Sequence, residues 1–192
     1  MAFWSESGLE PKRAYRFRVQ IAEMGAGGTD GGYMWYAKKV GKPTLSVTEH
    51  AHKYLNHTFY YPGKVEWTEI TLSIVDPVEP DMGATVADLL TQSGYVVPTQ
   101  ARDDADFQTV SKSKSVTSLG NVVIEQIDSD GGVVEKWTLN NAWIKEIKWG
   151  ELDYEGEDLT TIDVTLRYDW ATLSDVGQSA AGGGETKYWS TQ

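Results

Sequence analysis

Every histidine of the chain lies in one stretch, "EHAHKYLNH" at residues 49–57. Imidazole is the commonest protein metal ligand, so His50, His52 and His57 are the first residues to weigh. His50 and His52 stand two apart. On a strand they would share a face, and His57 would complete a three-histidine set if the chain turned back. Such a site also needs a shaped pocket and partners that orient each ring, and the nearby acid is Glu49. The same residues alternate with Tyr54, Phe59, Tyr60 and Tyr61, and aromatic side chains are enriched at protein interfaces. The segment therefore reads first as a contact surface, with a metal-dependent β-barrel enzyme as its rival. Stoichiometric zinc or iron would favour the rival.

Other chemistry is thinner. The chain has no cysteine, which excludes disulfides, zinc-thiolate sites and thiol nucleophiles. No serine sits in a nucleophile elbow, and histidines confined to one segment leave no Ser-His-Asp set. "GAGGTDGG" at 25–32 lacks the Gly-Lys-Ser/Thr ending of a phosphate cradle and precedes no helix; it resembles a glycine-aspartate calcium repeat only once. Acid pairs such as Asp103/Asp104 and Glu157/Asp158 lie in turn-like sequence and read as solvated charge. Neither an enzyme nor a cofactor is expected.

The elements that must carry the contact segment are mostly strands. Residues 15–23 alternate, with Tyr15, Phe17, Val19 and Ile21 to one side and Arg16, Arg18 and Gln20 to the other. A second strand at 33–40 completes an expected hairpin. Residues 41–63, bounded by Gly41/Pro43 and Pro62/Gly63, are long, aromatic and poorly periodic, and read as an extended loop with functional weight. A strand follows at 64–76. The one expected helix spans 81–94, with Asp81 as its cap and Met82, Val86, Leu89 and Leu90 on one stripe. Residues 98–118 read as a polar irregular stretch. Strands return at 121–127, 133–149 and 157–170. After residue 171 the pattern fades into a Gly/Ser-rich tail. The expectation is a domain over 1–171 and a tail over 172–192, of two-sheet sandwich or barrel class.

With 192 residues, 40% of them hydrophobic, the chain can bury one core, and its net charge of −11 excludes a basic surface that grips phosphates. Such a balance suits a surface that DNA passes without sticking. "MAFWSESGLEPKR" shows no secretory pattern, and no apolar run approaches the ~20 residues that span a bilayer. Synthesis in a cytoplasm, with no membrane partner, is the expectation.

The stretch "LNNAWIKEIKWGELDYEGEDLTTIDVTLRYDWA" at 139–171 resembles the C-terminal signature of tail tube proteins of T4-type contractile phages and related contractile injection systems. Asn141, Ala142 and Trp143 open it; Leu152, Asp153 and Tyr154 mark its turn; residues 158–170 form its last strand. "YRFRVQI" and "YYPGKVEWTEITLSIVD" look like earlier strands of that family, and the helix at 81–94 falls where the family places its own. The tail beyond 171 is longer than the family pattern, and the stretch 95–120 looks expanded.

The resemblance implies a homohexamer whose sheets join in a continuous β-barrel ring. Rings would stack into a hollow tube inside a contractile sheath, as a structural part of a virion tail assembled in the host cytoplasm. Its partners would be further copies of itself, a sheath protein, a tape measure protein inside the tube, and a baseplate initiator and terminator at its ends. DNA would pass through an acidic channel during genome ejection without specific binding; a protein-delivering injection system is the alternative. His50, His52, Tyr54, His57, Tyr60 and Tyr61 would lie on a loop reaching an adjacent subunit or ring, so acidification should alter stacking. Glu66, Glu69, Asp163 and Asp169 are candidate lumen acids, expected on strands. Tyr188 and Trp189 are candidates to dock on a neighbouring subunit. A monomeric sandwich-type binding module is the remaining alternative.

Overall fold

The computed structural model describes residues 11–22, 24, 34–97, 107–175 and 186–190. Its elements in chain order are β1 (Phe17–Ile21), β2 (Ala37–Val40), β3 (Leu45–Tyr54), β4 (His57–Trp67), β5 (Ile70–Val75), α1 (Met82–Gln92), α2 (Lys112–Leu119), β6 (Val122–Ile127), β7 (Val133–Asn140), β8 (Trp143–Lys148), β9 (Thr161–Arg167), β10 (Trp170–Asp175) and β11 (Thr186–Tyr188). Antiparallel pairing builds a five-stranded sheet β1-β6-β7-β10-β11, a four-stranded sheet β2-β5-β9-β8 and a two-stranded sheet β3-β4. The mainly-β class is as expected.

The core forms where the alternating faces of the two larger sheets meet. Ile70, Leu72 and Ile74 of β5 stand opposite Leu166, Val164 and Ile162 of β9. In the other sheet Ile21 faces Val122, and Leu139 and Ala171 continue that row. All belong to one buried cluster. Period-two strands with one apolar side leave water here chiefly by facing a second such sheet, with Met82, Val86 and Leu89 of the first helix joining the same cluster.

Two segments that read as single strands pass from one sheet to the other. Residues 133–149 break at Asn141, whose φ of 55° is left-handed, a conformation that asparagine tolerates better than most residues. β7 therefore belongs to the five-stranded sheet and β8 to the four-stranded one. Residues 157–170 divide likewise between β9 and β10. The corners lock together: the Asp169 N–H donates to the Asn140 carbonyl at 3.1 Å, and Asn141 Nδ2 donates to Asp169 Oδ2 at 2.8 Å.

Three further expectations are corrected. β1 and β2 do not form a hairpin. β1 pairs with β6 and β2 with β5, and a bond from the Met34 N–H to the Val19 carbonyl, 2.8 Å, links the two segments. The intervening sequence is too long to impose a tight turn, so each strand joins the sheet that its apolar face completes; most of that sequence, 25–33, lies outside the described residues. Second, there are two helices. α1 matches the expectation, with the Asp81 carboxylate accepting from the Ala84 N–H at 2.8 Å and Met82, Val86 and Leu89 buried. α2 lies in the stretch read as irregular, capped by Ser111 and ended at Gly120. It buries only Ser115, Ser118 and Leu119, so it carries almost no apolar stripe to read. The Ser93 and Ser118 hydroxyls, 2.9 Å apart, tie the region after α1 to α2. Residues 98–106 lie outside the described residues. Third, β10 runs through residue 171 to Asp175, and β11 pairs with it.

Candidate functional site

The segment 41–63, expected as a loop, supplies most of a hairpin. β3 and β4, of 10 and 11 residues, pair from Leu45↔Trp67 to Tyr54↔His57, with a bulge between Val47 and Glu49. Leu45, Thr58 and Trp67 are half-buried and every other residue of the two strands is exposed. A strand buried on neither face has no reason to alternate, which is why the segment showed no period. Gly63 faces the bulge: a Cβ there would lie 2.4 Å from Thr48 Oγ1 and 2.9 Å from the Thr48 carbonyl oxygen. The tip turns at Leu55, φ 51°, which is 88% exposed.

Register decides the fate of the histidines. His50 stands opposite Tyr61, His52 opposite Phe59 and His57 opposite Tyr54. Directly paired residues point to the same side of a sheet, so these six share one face and Tyr60, opposite Ala51, takes the other. The chain does turn back, as a three-histidine set requires. However, His57 returns level with Tyr54, four residues along β3 from His50, or roughly 14 Å at ~3.4 Å per residue. One metal ion cannot hold both imidazoles, and among the described residues no three His, Asp or Glu side chains gather around a metal-sized space. The aromatic company is close instead: the His57 and Phe59 rings meet edge to face at 4.7 Å.

The root of the hairpin is fastened to the body. The Thr68 N–H donates to the Thr44 carbonyl at 2.9 Å and closes the hairpin ladder at its base, while side chains tie that base to the body. Lys42, just before β3, donates to Glu135 Oε1 at 2.8 Å. Lys12 also donates to this carboxylate, as does Trp137 Nε1 at 2.6 Å. Burial raises the proton affinity of Glu135, but the bonds from Lys12, Lys42 and Trp137 outweigh it and hold the carboxyl at about 2. Sequence reasoning missed this cluster because its members lie far apart in the chain; the signal available was a lysine beside each end of the expected first hairpin.

The candidate lumen acids separate. Glu66 is exposed on β4 and, with Asp169, lines a cleft of about 700 Å³ at the hairpin root beside Trp67, Lys112 and Arg167. Glu69 and Asp169 are not strand residues: they lie between β4 and β5 and between β9 and β10. Lys145 donates to Glu69, and this bond holds the carboxyl below the ordinary glutamate range. Lys112 donates to Asp169 at 2.7 Å; that bond, against burial and with help from Asn141, keeps the Asp169 carboxyl below the usual range. Asp163, on β9, accepts from Ser73 and stands opposite Lys148. Cations or a hydroxyl thus engage three of the four.

Tyr188 and Trp189 lie against their own chain. Tyr188 stands opposite Leu173. The Trp189 ring stacks on Trp137, with centroids 6.2 Å apart and planes at 19°, and meets Trp67 edge-on at 5.6 Å. Trp67 is the last residue of β4, so the C-terminal segment touches the hairpin root.

No family model matches the sequence, and no curated protein does. Solved structures do. A chain of the anti-feeding prophage (AFP) baseplate superposes with a TM-score of 0.61 at 14% identity, over 85% of this chain and 95% of that one. A chain of the sheath/tube terminator of PVC, an extracellular contractile injection system, gives 0.59 at 17% identity over 85% and 96%. A chain of the PVC sheath-tube complex gives 0.58 at 17% over 92% and 99%. The chain therefore has the fold of tube and terminator proteins of contractile injection systems.

Proposed function

We propose that the protein is a structural subunit of a tail tube, forming six-membered rings that stack into a hollow cylinder inside a contractile sheath. The observation that carries this is the β3–β4 hairpin. A two-stranded ribbon alone in water is marginally stable at best, yet this one extends outward with Tyr54, Phe59, Tyr60 and Tyr61 between 46% and 64% exposed. Such a surface needs a covering partner. Likeness in fold to a chain of a sheath-tube complex makes a further copy of the same protein the natural one. The hairpin would lie against the adjacent subunit or ring, with His50, His52 and His57 as contact residues.

On this reading a sheath protein surrounds the tube, a tape measure protein fills it during assembly, and an initiator and a terminator close its ends. The chain's charge of −11 would make the lumen a wall that cargo slides past rather than binds. Glu66, Glu69, Asp163 and Asp169 remain the proposed lumen acids. A phage genome is the first cargo to consider, in a virion assembled in a host cytoplasm. Protein cargo is the second, favoured by the extracellular contractile injection system among the structural neighbours.

Negative-stain electron microscopy with light scattering tests the proposal. Stacked hollow rings from the native chain, and monomers of unchanged circular dichroism from a Tyr54→Ser, Tyr60→Ser, Tyr61→Ser variant, are the expected results. A native chain that stays monomeric at high concentration, even when seeded with fragments of a tube end, would overturn it.

A further inference from the structure

The three-residue strand β11 is the shortest element of the described fold. It pairs only Leu173, Ser174 and Asp175 of β10 with Tyr188, Lys187 and Thr186. Beyond it Trp189 adopts a φ of 58°, a left-handed backbone that costs a tryptophan energy, and its ring is held between Trp137 and Trp67. Even so, Tyr188 remains 48% exposed and Trp189 52%.

The connection is also out of proportion. Adjacent antiparallel strands need a loop of roughly two to five residues, whereas residues 176–185, "VGQSAAGGGE", join β10 to β11. Chain of that length can span roughly 33 Å when extended, far more than a hairpin turn between adjacent strands requires. Exchange of an identical element between protomers requires no new contacts, because each copy already presents the acceptor. The acceptor here is the β10 edge with the Trp67–Trp137 cleft. It adjoins the root of the hairpin that is proposed to lie against a neighbouring subunit.

We infer that residues 186–190 are an exchangeable strand: in the assembled protein they leave their own β10 and dock, in the same register, on β10 and between Trp67 and Trp137 of an adjacent copy. This rests on the proposed self-assembly. The occupant is the second copy's own C-terminal strand, and the exchange ties neighbours together through chain connectivity as well as surface contact.

The chain has no native cysteine, so paired cysteines report the exchange directly. Full-length chain carrying Tyr188→Cys is mixed, under reducing conditions, with chain that ends at residue 185 and carries Leu173→Cys. The mixture is assembled, oxidised and run on a non-reducing gel. Leu173 and Tyr188 are register partners, and the truncated chain has no strand of its own, so a covalent heterodimer of unequal halves is expected as the main product. As a second measurement, full-length chain carrying both substitutions should give a ladder of covalent oligomers after assembly and chiefly monomer when oxidised while dilute. Tubes that form normally, with the double variant running as monomer and the mixture giving no heterodimer, would overturn the exchange and leave the tube reading standing. Absence of any assembly from the native chain would overturn both.

Discussion

Glu135 offers a quantitative test of what holds the hairpin root to the body. Its carboxyl stands at about 2 in the folded chain against 4.5 for an ordinary glutamate. At ~1.4 kcal/mol per tenfold change in proton affinity, the difference corresponds to about 3 kcal/mol of stabilisation at neutral pH, a ceiling because Lys12 and Lys42 are half-exposed and solvent screens them. The carboxylate itself is only 13% exposed, so much of the effect should survive. The perturbation is Glu135→Gln. The replacement amide can still accept from Trp137 but no longer pairs with two ammonium groups, and both lysines can reach water. The expected loss is about 2 kcal/mol, read as a shift of the urea midpoint in tryptophan fluorescence with an unchanged slope. The pH dependence fixes the cause. The folded chain releases this proton more readily than the unfolded chain, so the stabilisation is complete above the unfolded value of 4.5 and is lost as pH falls toward 2. The gap between native chain and variant should therefore be flat from pH 8 to pH 6 and shrink to less than about half by pH 3. A gap under about 0.5 kcal/mol at pH 7, or one that persists undiminished at pH 3, would refute the reasoning.

Other substitutions separate the body from the hairpin. Gly63→Ala forces a Cβ against Thr48 and should disturb the bulge, raising the critical concentration for assembly at least about tenfold. Stability of the core should change by less than about 0.5 kcal/mol, checked by light scattering beside thermal melting; equal loss of both would mean that the hairpin and body fold as one unit. Asp81→Ala removes the cap that accepts from Ala84 and should cost about 1 kcal/mol in urea unfolding, with Asp81→Ser recovering most of it. Asp169→Asn breaks the Lys112 pair, whose partners are 60% and 36% exposed; it should cost under about 1 kcal/mol and less at high salt, and a larger loss would place the weight on the bond to Asn141.

What the sequence determined on its own follows from burial. β1, β5, β9 and α1 each put one apolar side into the core, so their alternation or stripe is written in residue order, as in Ile70, Leu72 and Ile74 or Met82, Val86 and Leu89. The order of these pieces, with Asn141 and Ala142 at the sheet-switching corner, carried the resemblance as well. The hairpin, α2 and β11 left no such pattern. β3 and β4 are exposed on both faces, α2 buries two serines and a leucine, and β11 is too short to show a period. Tertiary structure alone decided which strands pair, because β1 and β2 are adjacent in sequence but complete different sheets. It alone brought Lys12, Lys42, Glu135 and Trp137 together, since pairing across more than ninety positions depends on sheet register rather than spacing. It also placed the histidines: residue order allowed a converging set, and the register of β3 on β4 spread them along a ribbon exposed on both faces.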